Sequence, residues 1–224
     1  MRISAVVTGA LGVLLLVLVA VGWSPLLSFD RDVAEALHRS ALAHPGFTHL
    51  NRILTDWVWD PWTMRALTLL AVVWLLIRRE RLLALWITGG TLVAWLLQAG
   101  LKAAVGRERP QWPDPVDSAP YGAFPSGHAM AATVACGLLL WALALHWREG
   151  RRGWGTLAGA ALVSVAGVGW TRVYLGVHWP SDVLAGWLFG WCCVAVTIVT
   201  YRLVAARRTP SADTGAGSRM EDTR

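Results

Sequence analysis

Six apolar runs of about 20 residues each dominate the sequence and leave few architectures open. They start near Ala5, Pro61, Leu82, Gly127, Trp154 and Ser181. A backbone that crosses lipid must satisfy its own hydrogen bonds, so runs of this length become helices. The remaining composition agrees with this. Of 224 residues, 55% are hydrophobic and 15% charged, where a soluble domain carries about 25% charge. The expected fold class is therefore all-α: a polytopic membrane protein with six transmembrane helices. The net charge of +6 does not imply nucleic acid, because the arginines fall mostly in short turns between runs. Cys136, Cys192 and Cys193 lie inside apolar runs and read as small buried hydrophobes, with neither disulfide nor metal spacing. The 15 tryptophans gather near run ends, as in interfacial belts.

The first run, Ala5 to Trp23, is long for a signal-peptide core, and no clear small-residue cleavage site follows it. It reads as an uncleaved span. Residues 24–60 read as short interfacial helices between the first two spans. In them Phe29, Val33, Ala36 and Leu37 share one face, with Asp30 or Asp32 as a cap, and a second amphipathic piece runs from Phe47 to Asp56. Packing against the spans is the expected role, with a lid as the alternative. A single membrane domain is expected over 1–204, with its core at about 60–204, followed by a disordered cytoplasmic tail, 205–224. The basic turns at 78–81 and 148–152 fall on the side of Arg2 and the 202–208 end. The positive-inside bias makes that side cytoplasmic and turns 102–128 and 172–182 outward. The expected location is the cell membrane.

Three polar clusters share the outward end. Lys102, the only lysine, is followed after six residues by Arg109-Pro110. Pro125-Ser126-Gly127-His128 opens the fourth span. Arg172 is followed after five residues by His178 and after three more by Asp182. Taken singly, each has an ordinary explanation: a snorkelling cation, a loop charge, a first-turn acid or an incidental histidine. Jointly they place three cations, two histidines and a carboxylate at one depth, where ionisable groups signal function. The chemistry they fit is phosphoryl transfer. Two guanidinium forks, a point charge and first-turn amides suit the equatorial oxygens. A histidine held by a carboxylate four residues on can attack in line, and a second histidine can serve as acid.

These clusters resemble the signature of the type-2 phosphatidic acid phosphatase superfamily, shared with vanadium-dependent haloperoxidases: KxxxxxxRP, PSGH and SRxxxxxHxxxD. The first two match fully. In the third, Thr171 replaces the leading serine and keeps a hydroxyl. The resemblance covers about residues 60–204. It implies a six-helix core and a metal-independent phosphatase without cofactor. It makes His178 the nucleophile, Asp182 its orienter and His128 the acid and then the base. Lys102, Arg109, Ser126, Gly127 and Arg172 become the phosphate-binding set. It implies a lipid phosphate or diphosphate as substrate, such as phosphatidate, phosphatidylglycerophosphate or a polyprenyl diphosphate, among membrane lipids and with no nucleic-acid partner. The alternatives are a phosphotransferase using the same histidine and a non-catalytic membrane scaffold. A haloperoxidase fits less well, because those pockets sit in soluble proteins.

Overall fold

The computed structural model describes residues 1–146 and 153–208. Among them are eight α-helices and no strand: α1 (Arg2–Ala20), α2 (Ser24–Ala43), α3 (Pro45–Ile53), α4 (Pro61–Ile77), α5 (Arg81–Val105), α6 (Gly127–His146), α7 (Trp154–Tyr174) and α8 (Pro180–Arg208). A π-helical turn, Leu54–Val58, joins α3 to α4. Among the described residues, six stretches are long and apolar enough to cross a membrane; one of them counts Pro45–Ile77 as a single stretch. Proline opens α4 with Asp60 as its cap, the carboxylate accepting the Trp62 N–H at 2.7 Å. Gly106, at φ 57°, ends α5 in the left-handed conformation, and its N–H bonds the Lys102 carbonyl. That cap turns the chain back over the bundle end directly after Lys102.

α6 and α8 are the most buried spans and form the centre of the bundle. Leu138, Phe189, Val194 and Ile198 meet there with Leu83 and Ile87 of α5 and Leu15 and Val19 of α1. The two central helices approach closely because glycines line their seam, as small residues do where helices meet in lipid. A Cβ on Gly186 would lie 2.7 Å from the Ser126 carbonyl oxygen and 3.1 Å from the Met130 nitrogen. Those are backbone atoms, so α6 itself would have to move. Gly186→Ala is therefore expected to cost about 1–3 kcal/mol of packing, and to lower the thermal midpoint in detergent together with any activity. An unchanged midpoint would show that the helices do not pack this tightly.

The 24–60 segment packs on the bundle, and three details of its sequence reading need correction. The buried face of α2 is Asp30, Ala34, His38 and Ala41, flanked by Val33 and Leu37 against Val173 and Val183. Phe29 is 57% exposed and lies off that face. Asp30 sits inside α2, 1% exposed, and is no cap. The reason is that Arg107 and Ser181 meet the Asp30 carboxylate, while His38 stacks on the Trp112 ring at 4.2 Å and keeps its Nδ1 buried without a hydrogen-bond partner. The reading of three buried cysteines holds fully for Cys193 only; Cys136 and Cys192 are half-buried. α8 continues through Arg208, so the segment 205–208 is helical. The rest of the expected tail, and the 148–152 turn, lie outside the described residues.

Candidate active site

Every residue singled out from the three clusters falls at one end of the bundle. Lys102 is in the last turn of α5, Gly127 opens α6, Arg172 is in the last turn of α7, and Asp182 is in the first turn of α8. His178 lies in the tight connection between α7 and α8. The Val177 and His178 N–H groups both return to the Arg172 carbonyl, at 3.2 Å each. The α6 and α8 starts are tied together by the Ser126 N–H donating to the Asp182 carbonyl at 2.9 Å. Ser126 therefore does not offer its own amide. The first-turn amides of Gly127 and His128, which have no acceptor within the helix, remain as donors.

The Nδ1 of His178 faces Asp182 Oδ2 at 3.4 Å, and the Trp179 N–H holds the same oxygen at 2.9 Å. His178 and Asp182 are 1% and 0% exposed. With Nδ1 directed to the carboxylate, Nε2 is the open nitrogen, and Arg109 Nη1 stands 3.1 Å from it. Burial, and then the charges of Arg109, Arg172 and Lys102, hold the His178 pKa well below the ordinary histidine value of 6.5. The ring is therefore neutral near pH 7.

Lys102 and Arg109 are held by backbone oxygens, and Arg172 by side-chain oxygens. Lys102 Nζ donates to the Gly122 carbonyl at 2.7 Å. Arg109 donates to the carbonyls of Tyr121 at 2.9 Å, Pro120 at 3.0 Å and Val177 at 2.5 Å. Arg172 is 3% exposed; its Nη1 reaches Thr55 Oγ1 at 3.1 Å and Asp117 Oδ2 at 3.7 Å. Its Nε is buried without a hydrogen-bond partner. An orphaned guanidinium N–H of this kind is costly unless an anion takes it. The charges of Arg172, His178, Lys102 and Arg109 all act on His128, which places it in the same cluster. Thr171, by contrast, spends its hydroxyl on the Val168 carbonyl of its own helix.

The sequence reading missed several contributors. Arg107 donates to Asp182 Oδ1 at 2.7 Å and to Asp30 Oδ2 at 2.7 Å. Thr55 and Asp117 meet Arg172. Gln98 of α5 lies under the α6 start, its amide nitrogen 3.2 Å from where a Gly127 Cβ would stand. Only Arg107 carried a signal, as a second arginine two positions before Arg109. From Gly127 and Gln98 a cavity runs between α4, α5 and α6 past Met130 and Thr68. It adjoins an open, mainly apolar cleft at Leu69, Val72 and Leu92 on the outer surface of α4 and α5, the two sharing Arg65 and Trp95.

Apolar spanning helices, with a histidine–carboxylate pair and a set of cations gathered at one end, define a polytopic membrane protein with a buried cationic cluster. The chain belongs to the PAP2 superfamily, whose model matches residues 82–206. It is similar to undecaprenyl-diphosphatase of Sulfolobus acidocaldarius, 46% identical over 68 residues, or 30% of this chain and 28% of that protein. It is also similar to phosphatidylglycerophosphatase B of Escherichia coli K12, 38% identical over 92 residues, or 41% and 34%. The aligned stretches thus span about a third of those relatives. A crystal structure of a transmembrane PAP2-type phosphatidylglycerolphosphate phosphatase from Bacillus subtilis superposes with a TM-score of 0.72 at 22% identity, covering 93% of this chain and 98% of that one. That likeness bears on the fold.

Proposed function

We propose that the protein is an integral membrane phosphatase that hydrolyses a lipid phosphate or diphosphate through a phosphohistidine. The observation that carries this is the buried pair His178–Asp182, with Nε2 against Arg109 and with Arg172, whose Nε has no partner, among the charges acting on the ring. The phosphoryl group displaces Arg109 from Nε2 and takes the freed N–H groups on its equatorial oxygens, with Lys102, Arg172, Ser126 and the Gly127 amide completing the cradle. Nε2 forms a bond to phosphorus as the bond to the lipid oxygen breaks, and His128 gives that oxygen a proton. Water then attacks the phosphohistidine, gives its proton to His128, and inorganic phosphate leaves. Three cations neutralise the charge that a metal would otherwise take, so the reaction is metal-independent.

The names of the relatives support a lipid-borne phosphate, and the cavity toward the lipid face offers acyl or prenyl chains a place beside Gly127. The test is phosphate release by detergent-purified protein on phosphatidate, phosphatidylglycerophosphate and a polyprenyl diphosphate, with excess EDTA. Release of phosphate from at least one of them, undiminished by the chelator, is expected. Loss on chelation with recovery on magnesium would overturn the metal-free route, and silence on all three would favour a scaffold.

The site is proposed to face the extracytoplasmic side, with both termini cytoplasmic, from the positive-inside bias of the basic stretches in the sequence. A cysteine placed in the exposed 111–119 loop, in a chain with the native cysteines replaced, should react with an impermeant thiol reagent on intact cells. Labelling only after lysis would invert the topology.

A further inference from the structure

Asp182 is a buried carboxylate with two oxygens in use, and only one of them concerns His178. The other, Oδ1, accepts from Arg107 Nη1 at 2.7 Å, and the same nitrogen donates to Ser181 Oγ at 2.7 Å. The second arm of the fork, Nη2, donates to Asp30 Oδ2 at 2.7 Å. Asp30 in turn accepts the Ser181 N–H on Oδ1 at 2.9 Å and the Ser181 hydroxyl on Oδ2. The guanidinium lies over the Trp179 ring at 5.6 Å, and that indole is pinned to the Glu108 carbonyl at 2.9 Å. Side-chain exposures are 11% for Arg107, 1% for Asp30 and 0% for Asp182.

We propose that Arg107 and Asp30 are positioning residues for the reaction, a buried relay that fixes the Asp182 carboxylate and through it the orientation and tautomer of the His178 ring. The proposal rests on the reading of Asp182 as the orienter of a nucleophilic His178. A carboxylate with no exposure needs a counter-charge to stay ionised, and Arg107 is the cation in direct contact with it. A carboxylate held by one N–H alone can turn about its own axis; bonds to both oxygens from opposite sides fix its plane. Asp30 and Trp179 hold the far side of Arg107. A lysine could neutralise one acid but could not bridge both, since only the fork spans them. The relay also gives α2 a chemical role, because Asp30 reaches the site from a helix outside both the apolar runs and the 82–206 family match.

The experiment is a double-mutant cycle on purified protein with a phosphate substrate, reading kcat, the KM, inhibition by inorganic phosphate, and the thermal midpoint. Arg107→Lys is expected to lower kcat about 10- to 100-fold, the usual scale for an outer partner of a reacting group. Inhibition by phosphate should stay within about 3-fold of wild type, since the variant touches no phosphate donor. In an Asp182→Asn background the same change should cost little more, because the relay then has nothing left to orient. Additive losses, or a kcat per folded molecule within about 2-fold of wild type, would overturn the relay and leave a structural strap. Asp30→Asn, which keeps the shape of the side chain, repeats the cycle if Arg107→Lys does not fold. Nitrogen-15 resonances of histidine in the wild-type protein give a readout independent of any variant: His178 should carry its proton on Nδ1, and the Nε2-protonated tautomer would overturn the relay. If Asp182→Asn alone leaves kcat unchanged, the assignment of Asp182 has failed, a separate outcome from failure of the relay.

Discussion

His178→Ala should remove turnover almost completely, by roughly 10³-fold or more, the scale seen when a nucleophile is deleted from an organised catalytic group. The expectation follows from position. Nε2 of His178 is the nitrogen left open by the contact of Nδ1 with Asp182, and it points at the cation that a phosphoryl group would displace. Burial and the neighbouring cations keep the ring neutral well below pH 6.5, so attack needs no prior proton loss near neutral pH. The acid limb of kcat/KM should accordingly lie below that value unless substrate ionisation sets it. The covalent step makes a sharper forecast than the rate. Wild-type protein quenched in alkaline detergent during turnover of a radiolabelled substrate should carry label that survives base and is lost in acid, as a phosphoramidate is. His178→Ala should carry none. Label that persists without His178 would assign the nucleophile elsewhere.

Much of this site could be read from the sequence because its parts sit at helix ends. A span end fixes depth, so Lys102, Gly127, Arg172 and Asp182 had to share a level once the spans were counted. The four-residue step from His178 to Asp182, straddling a helix start, fixed their contact locally. What could not be read depends on partners distant in sequence. Arg107 and Asp30 are 77 residues apart and nothing in local spacing pairs them. The amphipathic reading of α2 went to the most apolar face, Phe29 included, and passed over Asp30 and His38, because a pattern cannot show that a buried acid has found an arginine. The same holds for Thr171. Its hydroxyl looked like a retained contact, yet a helical threonine can bond the carbonyl three residues back, and this one does. Family membership added a set of residue types at set spacings, and the packing of α6 on α8 supplied the reason those spacings converge.

His128→Ala should have the second-largest effect, and its size should depend on the leaving group. His128 lies at the start of α6, on a different element from His178, among the charges of Arg172, Lys102 and Arg109. Removing a general acid costs about 10²–10⁴-fold where the departing oxygen is a poor leaving group. A simple alkyl phosphate needs that proton, because an alkoxide leaves badly. An aryl phosphate or a diphosphate needs it less, because its leaving group is already stable as an anion. The measure is kcat/KM, which reports the phosphorylation step alone when that step is irreversible, compared between a short-chain alkyl phosphate and an aryl phosphate. The alkyl ratio should fall much further than the aryl ratio. The second half-reaction adds a consequence. With an aryl phosphate, His128→Ala still forms the phosphohistidine but lacks the base that activates water, so covalent label should accumulate above the wild-type level while phosphate release slows. Equal losses for both substrates, with no accumulation of label, would remove His128 from proton transfer and leave it as a wall of the phosphate cradle.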